Sequence, residues 1–458
     1  MKKFLCVLCS VLLLVLLCSS CENTDNRPID RYFLEIEYQN GQVFGSMEYN
    51  FTLKSNNQEV LFWLYPNGVN AEGCAIEVNK VCFKGAPCEY TLTDRGEYLK
   101  VLLPSECKAG ERLTLNIDFL TQLANAPSRL GVAKEVVNLA CFYPLACVFN
   151  GEYVKQPYSE IGDPFYSDFC DMRVNLTLPS IMSVACGFRP IGIENMGEKT
   201  TYCYEMSNVK NFCCALSDKY NIVSSKWNNT QVNYYYYNDE NPEEKLQIVT
   251  DCLGFLSENI GQYPYLVLTI AQSPYEFGGM EYSAFCVVGE SKSANDYIYA
   301  LIHEVCHQYF PISFLFNEYV SAYLDEGITE FLTQSYLEKQ NFGSKKAHAE
   351  YSLTLISAFN RAQSKLGNKV DGVMKKALNS FSSKEEYVTT AYYKGYLLFY
   401  KIEQTTGDIF PYLKRVFNKY KFKELNEELF ISCFGNYKKQ VQKIFEENVY
   451  KGAIITLD

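Results

Sequence analysis

The chain has 458 residues, which is long for one domain and gives two or three as the expectation. A composition of 48% hydrophobic and 21% charged residues is that of a globular protein and not of a disordered one. The net charge is −11, with acidic and basic residues interspersed, and no Lys/Arg block offers a phosphate-binding face, which argues against nucleic acid as a partner.

The first stretch, "MKKFLCVLCSVLLLVLLCSSCENTDN", opens on Lys2 and Lys3 and continues as an apolar run from Phe4 to Leu17. That run is short for a membrane span and suits a secretory signal. The "CSSC" that ends it resembles bacterial lipoprotein signals, in which a small-residue box precedes an acylated cysteine. Ser19, Ser20 and Cys21 fit, whereas Cys18 stands where an aliphatic residue is usual. The resemblance implies a signal over residues 1–21, a lipid on Cys21 and a membrane anchor. An ordinary cleaved signal and an uncleaved anchor are the alternatives, and in each case the remainder is exported. Of the 19 cysteines, 15 lie beyond Cys21. Their spacings show no repeated framework and no CxxC, so they read as small buried apolar residues, and no disulfide is predicted.

After a linker over residues 22–30, residues 31–238 read as β. "RYFLEIEYQ", "EVLFWLYPNG", "CAIEVNKVCF", "EYLKVLLP", "RLTLNIDFL", "MRVNLTLP" and "TQVNYYYYN" are short runs rich in β-branched and aromatic residues, separated by turn residues. The 15% aromatic content, mostly Tyr and Phe, is explained by such strands. The character changes at "NDENPEEKLQIVTDCLGFLSENIGQYPY". Asp239 and Asn241 are N-cap candidates, Pro242 suits the first turn, and Glu243 and Glu244 suit the positive helix end. Strands are expected at "LVLTIAQ" and "EYSAFCVVGE", and helices dominate from about Ala294 to the end. The expected architecture is multidomain α+β. A β-rich domain of saddle or sandwich type precedes a mainly helical domain over residues 239–458.

"HEVCHQYF" lies on a helix expected from about Asn295 to Phe310, which Pro311 then stops. His303 and His307 are two of only three histidines in the chain, and their i, i+4 spacing puts both on one face. They can grip one tetrahedral zinc ion, with Glu304 turned beside the open position as a candidate general base. A catalytic zinc needs a third protein ligand. Eighteen residues separate His307 from Glu326, which is room for a turn and a second helix from about Ser321 that packs back. Glu326 can then be the third ligand. Glu330, one turn on, could hydrogen-bond a ligand histidine or be a solvated acid. The remaining histidine, His348, reads as a surface residue.

HExxH followed after eighteen residues by Glu is the pattern of the gluzincin aminopeptidases, the membrane alanyl aminopeptidase and leukotriene hydrolase family, and this chain resembles them. "FGGMEY" (Phe277–Tyr282) is similar to the family's exopeptidase motif, and "YYKG" (Tyr392–Gly395) to its Tyr-x-Lys-Gly. "FYPLACVFNGEY", "GDPFYSDF" and "LYPNG" also resemble bacterial members. The resemblance spans about residues 31–458. It implies an N-terminal β-saddle, a thermolysin-like catalytic domain with one zinc ion, and no C-terminal helical domain. It also implies release of N-terminal residues from peptides. Gly278, Gly279, Met280 and Glu281 would meet the substrate, with Glu281 as the amine anchor, and Tyr392 would be the transition-state tyrosine. Only the family register chooses Tyr392 over its neighbour Tyr393. Tyr282 stands where these enzymes usually carry Asn, so an endopeptidase or another amide or ester hydrolase of the same fold stays open. A zinc-free pseudoenzyme serving as a binding module is the reading from another class.

Overall fold

The computed structural model describes residues 29–68, 73–340, 347–366, 372–453 and 455, with the side chains of 347–350 and 362–366 outside the description. The expectations for the segment 1–28, Cys21 included, and for the side chain of His348 therefore lie outside the described residues. Among the described residues no helix is long and apolar enough to cross a membrane.

The first half is built on an eight-stranded sheet. Its spatial order is Gly192–Asn195, Lys199–Val209, Cys170–Pro179, Asp30–Gln39, Gln42–Thr52, Arg112–Gln122, Ala75–Phe83 and Ala86–Pro87. Strict alternation makes these strands: every second residue of "RLTLNIDFLTQ" from Leu113 to Thr121 is buried. Asn40 and Gly41 join the two central strands. Both hold positive φ, +49° and +80°, as a type I′ hairpin requires. Asp30–Gln39 also pairs in parallel with Cys170–Pro179, a partner far along the chain. Two four-stranded sheets complete this half. The first orders Ser183–Ala185, Cys214–Ser217, Val136–Leu139 and Leu130–Ala133, and the second Leu145–Ala146, Glu59–Trp63, Tyr98–Leu102 and Tyr90–Thr93.

The second half opens on a five-stranded sheet in the order Asn221–Trp227, Thr230–Tyr236, Val267–Ser273, Phe285–Gly289, Gly279–Tyr282. This corrects the boundary expected at 238. The hairpin Asn221–Tyr236, "TQVNYYYYN" included, is hydrogen-bonded to Val267–Ser273 and belongs to the sheet beside the site. The change of composition at Asp239 marks where a helix starts, not where one sheet gives way to another. That helix, Pro242–Asn259, makes the crossover between two parallel strands and packs on the hairpin. A Cβ on Gly254 would lie 2.8 Å from the Trp227 ring. Asn241 is its N-cap position but makes no side-chain cap. The Asp239 carboxylate instead accepts from the Asn241 N–H at 2.9 Å.

Two further helices carry the motif. The motif helix, Ala294–His307, is capped by Ser293, whose hydroxyl accepts from the Asp296 N–H. It ends three residues short of the expected Phe310. The partner helix is Glu318–Lys339. It starts earlier than expected and is kinked at Ser321, where φ is −137°.

Candidate active site

His303 and His307 project their Nε2 atoms to within 3.0 Å of each other, and Oε2 of Glu326 lies 3.3 Å from the first and 3.4 Å from the second. All three residues are buried. A tetrahedral zinc with bonds of 2.0–2.1 Å needs ligand atoms about 3.3 Å apart. The triangle fits that edge length, so these residues suit the ion. Their electrostatics agree. Burial works against charge on His303, yet its contacts with Glu326 and Glu330 push the ring up to about 10. Burial likewise works against charge on Glu326, but contacts with the two rings hold its carboxyl well below the usual range. A field that strong for positive charge suits a dication.

The outward nitrogens are engaged too. Nδ1 of His303 lies 3.1 Å from Oε1 of Glu330. Nδ1 of His307 lies 2.8 Å from Oδ1 of Asp325 and 3.1 Å from the Thr329 hydroxyl. The Thr329 hydroxyl is hydrogen-bonded to the His307 ring, while the two carboxylates approach the outward nitrogens as charges, and both rings keep Nε2 inward. Asp325 had no role among the sequence expectations. The available signal was helical spacing, since Asp325 and Thr329 are four apart on one face.

Glu304 and the edge strand Gly279–Tyr282 are in contact. A Cβ on Gly279 would fall 2.1 Å from Oε1 of Glu304, so only glycine leaves room for that carboxylate. Its other oxygen, Oε2, has no hydrogen-bond partner among the described residues. Burial is the main cause that pushes this carboxyl up to about 7, against the opposing charges of His307 and His303. Gly279→Ala must therefore shift the carboxylate or the strand. The expected result is about a ten- to hundred-fold fall in turnover with zinc content unchanged. Wild-type turnover in that variant would show that the strand does not set the position of Glu304.

Glu281 faces the same way as Gly279, two residues on, with Oε1 3.8 Å from Nδ1 of His307. The sequence expectation put Glu281 at the start of one strand "EYSAFCVVG". The structure breaks that run at Ser283–Ala284, where Ala284 has φ +61°, into an edge strand and an inner one. A continuous β-like run hides a tight turn when no Gly or Pro marks it. Burial, with the charges of Asp325, Glu304 and Asp163 against that of His307, holds the Glu281 carboxyl well above the usual range. Met280 and Tyr282 occupy the opposite face. Met280 Sδ accepts from Nε of Arg129 at 3.1 Å, and the Tyr282 ring stacks on Phe285 with centroids 6.0 Å apart. Gly278, at φ +88°, turns the chain into the strand.

Tyr392 lies on a π-helical turn, Val388–Lys394, a form that recurs at functional sites. Its hydroxyl donates to Oε1 of Glu326 at 2.6 Å, and its ring is parallel to His303 at 6.0 Å. Tyr393 packs on the main core instead. Backbone contact brings this turn to the partner helix, because a Cβ on Gly395 would lie 2.7 Å from Cα of Gly327. Two more site residues went unread in the sequence. Tyr387 also donates to Oε1 of Glu326, at 3.4 Å. Asp163, paired with Arg129, reaches the site from the first half, and the adjacent Gly162 packs against the Tyr387 ring. Neither residue has a spacing that marks it.

Residues 245–448 match the description of the peptidase family M1 domain. The second half is a family M1 zinc metallopeptidase domain. The M1 fold extends over the rest of the chain. A solved M1 zinc metallopeptidase from Deinococcus radiodurans superposes with a TM-score of 0.70 at 14% identity, covering 94% of this chain and 95% of that one. A variant from that organism bound to a Tyr-Ser-Ala substrate gives 0.68 at 14% identity, with the same coverage. Native yeast LTA4 hydrolase gives 0.70 at 16% identity, covering 95% of this chain and 70% of that one. No curated protein matches the chain. The family implies a catalytic zinc ion, and the expectations of fold, family, enzyme class and cofactor hold.

Proposed function

We propose that this M1 metallopeptidase is an aminopeptidase that releases N-terminal residues from peptides. Glu281 carries the reading. It is a buried carboxylate on the edge strand, beside a ligand histidine, and it accepts no hydrogen bond from the described residues. A substrate α-ammonium, with three donors, answers that need by charge-assisted hydrogen bonds. Tyr282, the departure that opened the endopeptidase reading, turns its ring onto Phe285 and away from Glu304, so it does not obstruct this recognition.

His303, His307 and Glu326 hold the zinc, which when bound supplies an acidified water and polarises the scissile carbonyl. Glu304 accepts the proton of the attacking water and passes it to the leaving amine. The Tyr392 hydroxyl donates to the carbonyl oxygen as charge develops there. The edge strand, with Gly278 and Gly279 free of side chains, lets the substrate backbone approach.

Two measurements test the reading. N-acetylation removes the ammonium, and the expected fall in kcat/KM against the free-amine peptide is about 10- to 100-fold. Glu281→Ala should show a similar fall on amino-acid amides while keeping its zinc. Internal cleavage of acetylated peptides as fast as trimming of free ones would make the protein an endopeptidase.

A further inference from the structure

Glu330 is a buried carboxylate that, among the described residues, forms no ion pair with lysine or arginine. Two phenols serve it instead. Tyr299 donates to its Oε2 at 2.5 Å and Tyr351 donates to the same oxygen at 2.7 Å. The two hydroxyls are 3.4 Å apart, and Gln334 Nε2 donates to Tyr299 at 3.3 Å. The other oxygen, Oε1, is left facing Nδ1 of His303 at 3.1 Å. Tyr299 lies one turn before His303 on the motif helix, and the two rings are near-parallel at 6.4 Å. Tyr351 comes from a separate helix, Ala347–Leu366. Its ring meets Tyr396 edge-on at 4.9 Å, one residue past the glycine that follows the Tyr392 turn.

We propose that Tyr299 and Tyr351 are positioning residues for the zinc: by fixing one oxygen of Glu330 they keep the other on His303, so that zinc retention depends on the docking of helix Ala347–Leu366. This rests on the reading of His303, His307 and Glu326 as the zinc ligands. Two donors on one oxygen restrict the swing of the carboxylate, so Oε1 stays within 3.1 Å of Nδ1 of His303 and keeps the ring with Nε2 toward the metal. Without the phenols Oε2 has no donor among the described residues, and the carboxylate is free to swing away. Linkage makes the effect reciprocal: if the docked helix favours zinc, bound zinc favours the docked helix.

The test uses the zinc-loaded protein and a chelator in excess, with zinc release followed by an indicator dye. Tyr299→Phe/Tyr351→Phe is expected to release zinc about ten-fold faster than wild type, within the 10- to 100-fold range for loss of such outer partners. Glu330→Gln is expected to release it at least as fast. Adding the two Phe changes to Glu330→Gln should accelerate release no further, since the phenols act through Glu330. Tyr336→Phe is the structural control. It deletes a buried phenol on the partner helix that donates to the Ile248 carbonyl, far from Glu330 in bonding terms, and should lower Tm without changing zinc release. Equal release from the double variant and wild type overturns the proposal, as does an undiminished phenol effect in Glu330→Gln. Wild-type zinc that survives His303→Ala would overturn the ligand reading itself, a different failure seen in a different variant.

Discussion

Glu304→Gln is expected to keep its zinc and lose hydrolysis by about 10²- to 10⁴-fold, the range general acid–base catalysis supplies. The amide matches the carboxylate in shape, so the contact with Gly279 survives. The three atoms that form the metal triangle belong to His303, His307 and Glu326 and are untouched. What disappears is the ability to accept a proton. The substitution also removes a buried carboxylate with an unpartnered oxygen, so Tm should hold or rise. Metal analysis beside turnover on an amino-acid amide separates the two effects. Full activity, or loss of zinc, would end the assignment of Glu304 as the base.

Tyr392→Phe is expected to lower kcat about 100- to 1000-fold with KM and zinc content near wild type, the usual loss for one oxyanion donor. In the free protein its hydroxyl donates to Oε1 of Glu326. That bond to an ionised carboxylate is worth about 1.5–3 kcal/mol, but it exists before substrate binds, so a fall in kcat with KM and zinc content near wild type has to come from the transition state. Tyr393→Phe should be nearly silent, because that half-buried ring packs against the main core and away from the contacts of Glu326. Tyr387→Phe is the sharper control, since its phenol reaches the same oxygen at 3.4 Å. If Tyr387→Phe is the crippled variant and Tyr392→Phe is not, the donor has been assigned to the wrong turn.

The zinc triangle was legible because metal coordination imposes spacing. His303 and His307 are one helical turn apart, and eighteen residues suffice to bring Glu326 back. Glu330 was legible as an alternative for the same reason. Asp325, Tyr387, Asp163, Tyr299 and Tyr351 were not, because nothing in a linear pattern says which of 37 tyrosines lies beside a given carboxylate. Tertiary packing decides that. The hairpin Asn221–Tyr236 shows the same limit at fold level. Its second strand was read from "TQVNYYYYN", yet the choice of sheet rests on hydrogen bonds to Val267–Ser273, across an entire helix. The turn at Ser283–Ala284 escaped because a positive φ at alanine leaves no compositional trace.

The parallel pairing of Asp30–Gln39 with Cys170–Pro179 has a cost in time. Asp30 and Cys170 are partners 140 residues apart. At a synthesis rate of 5–20 residues per second the strand waits roughly 7 to 28 s for its neighbour. The hairpin with Gln42–Thr52 guards one edge at once, but the other stays open to any chain that meets it. Arg31, Glu35 and Glu37 alternate along the outer face during that wait. Their charge makes the nascent hairpin a poor template for a second copy of itself, so residues that pair with Asp171, Asn175 and Lys199 in the finished sheet also protect the unfinished one.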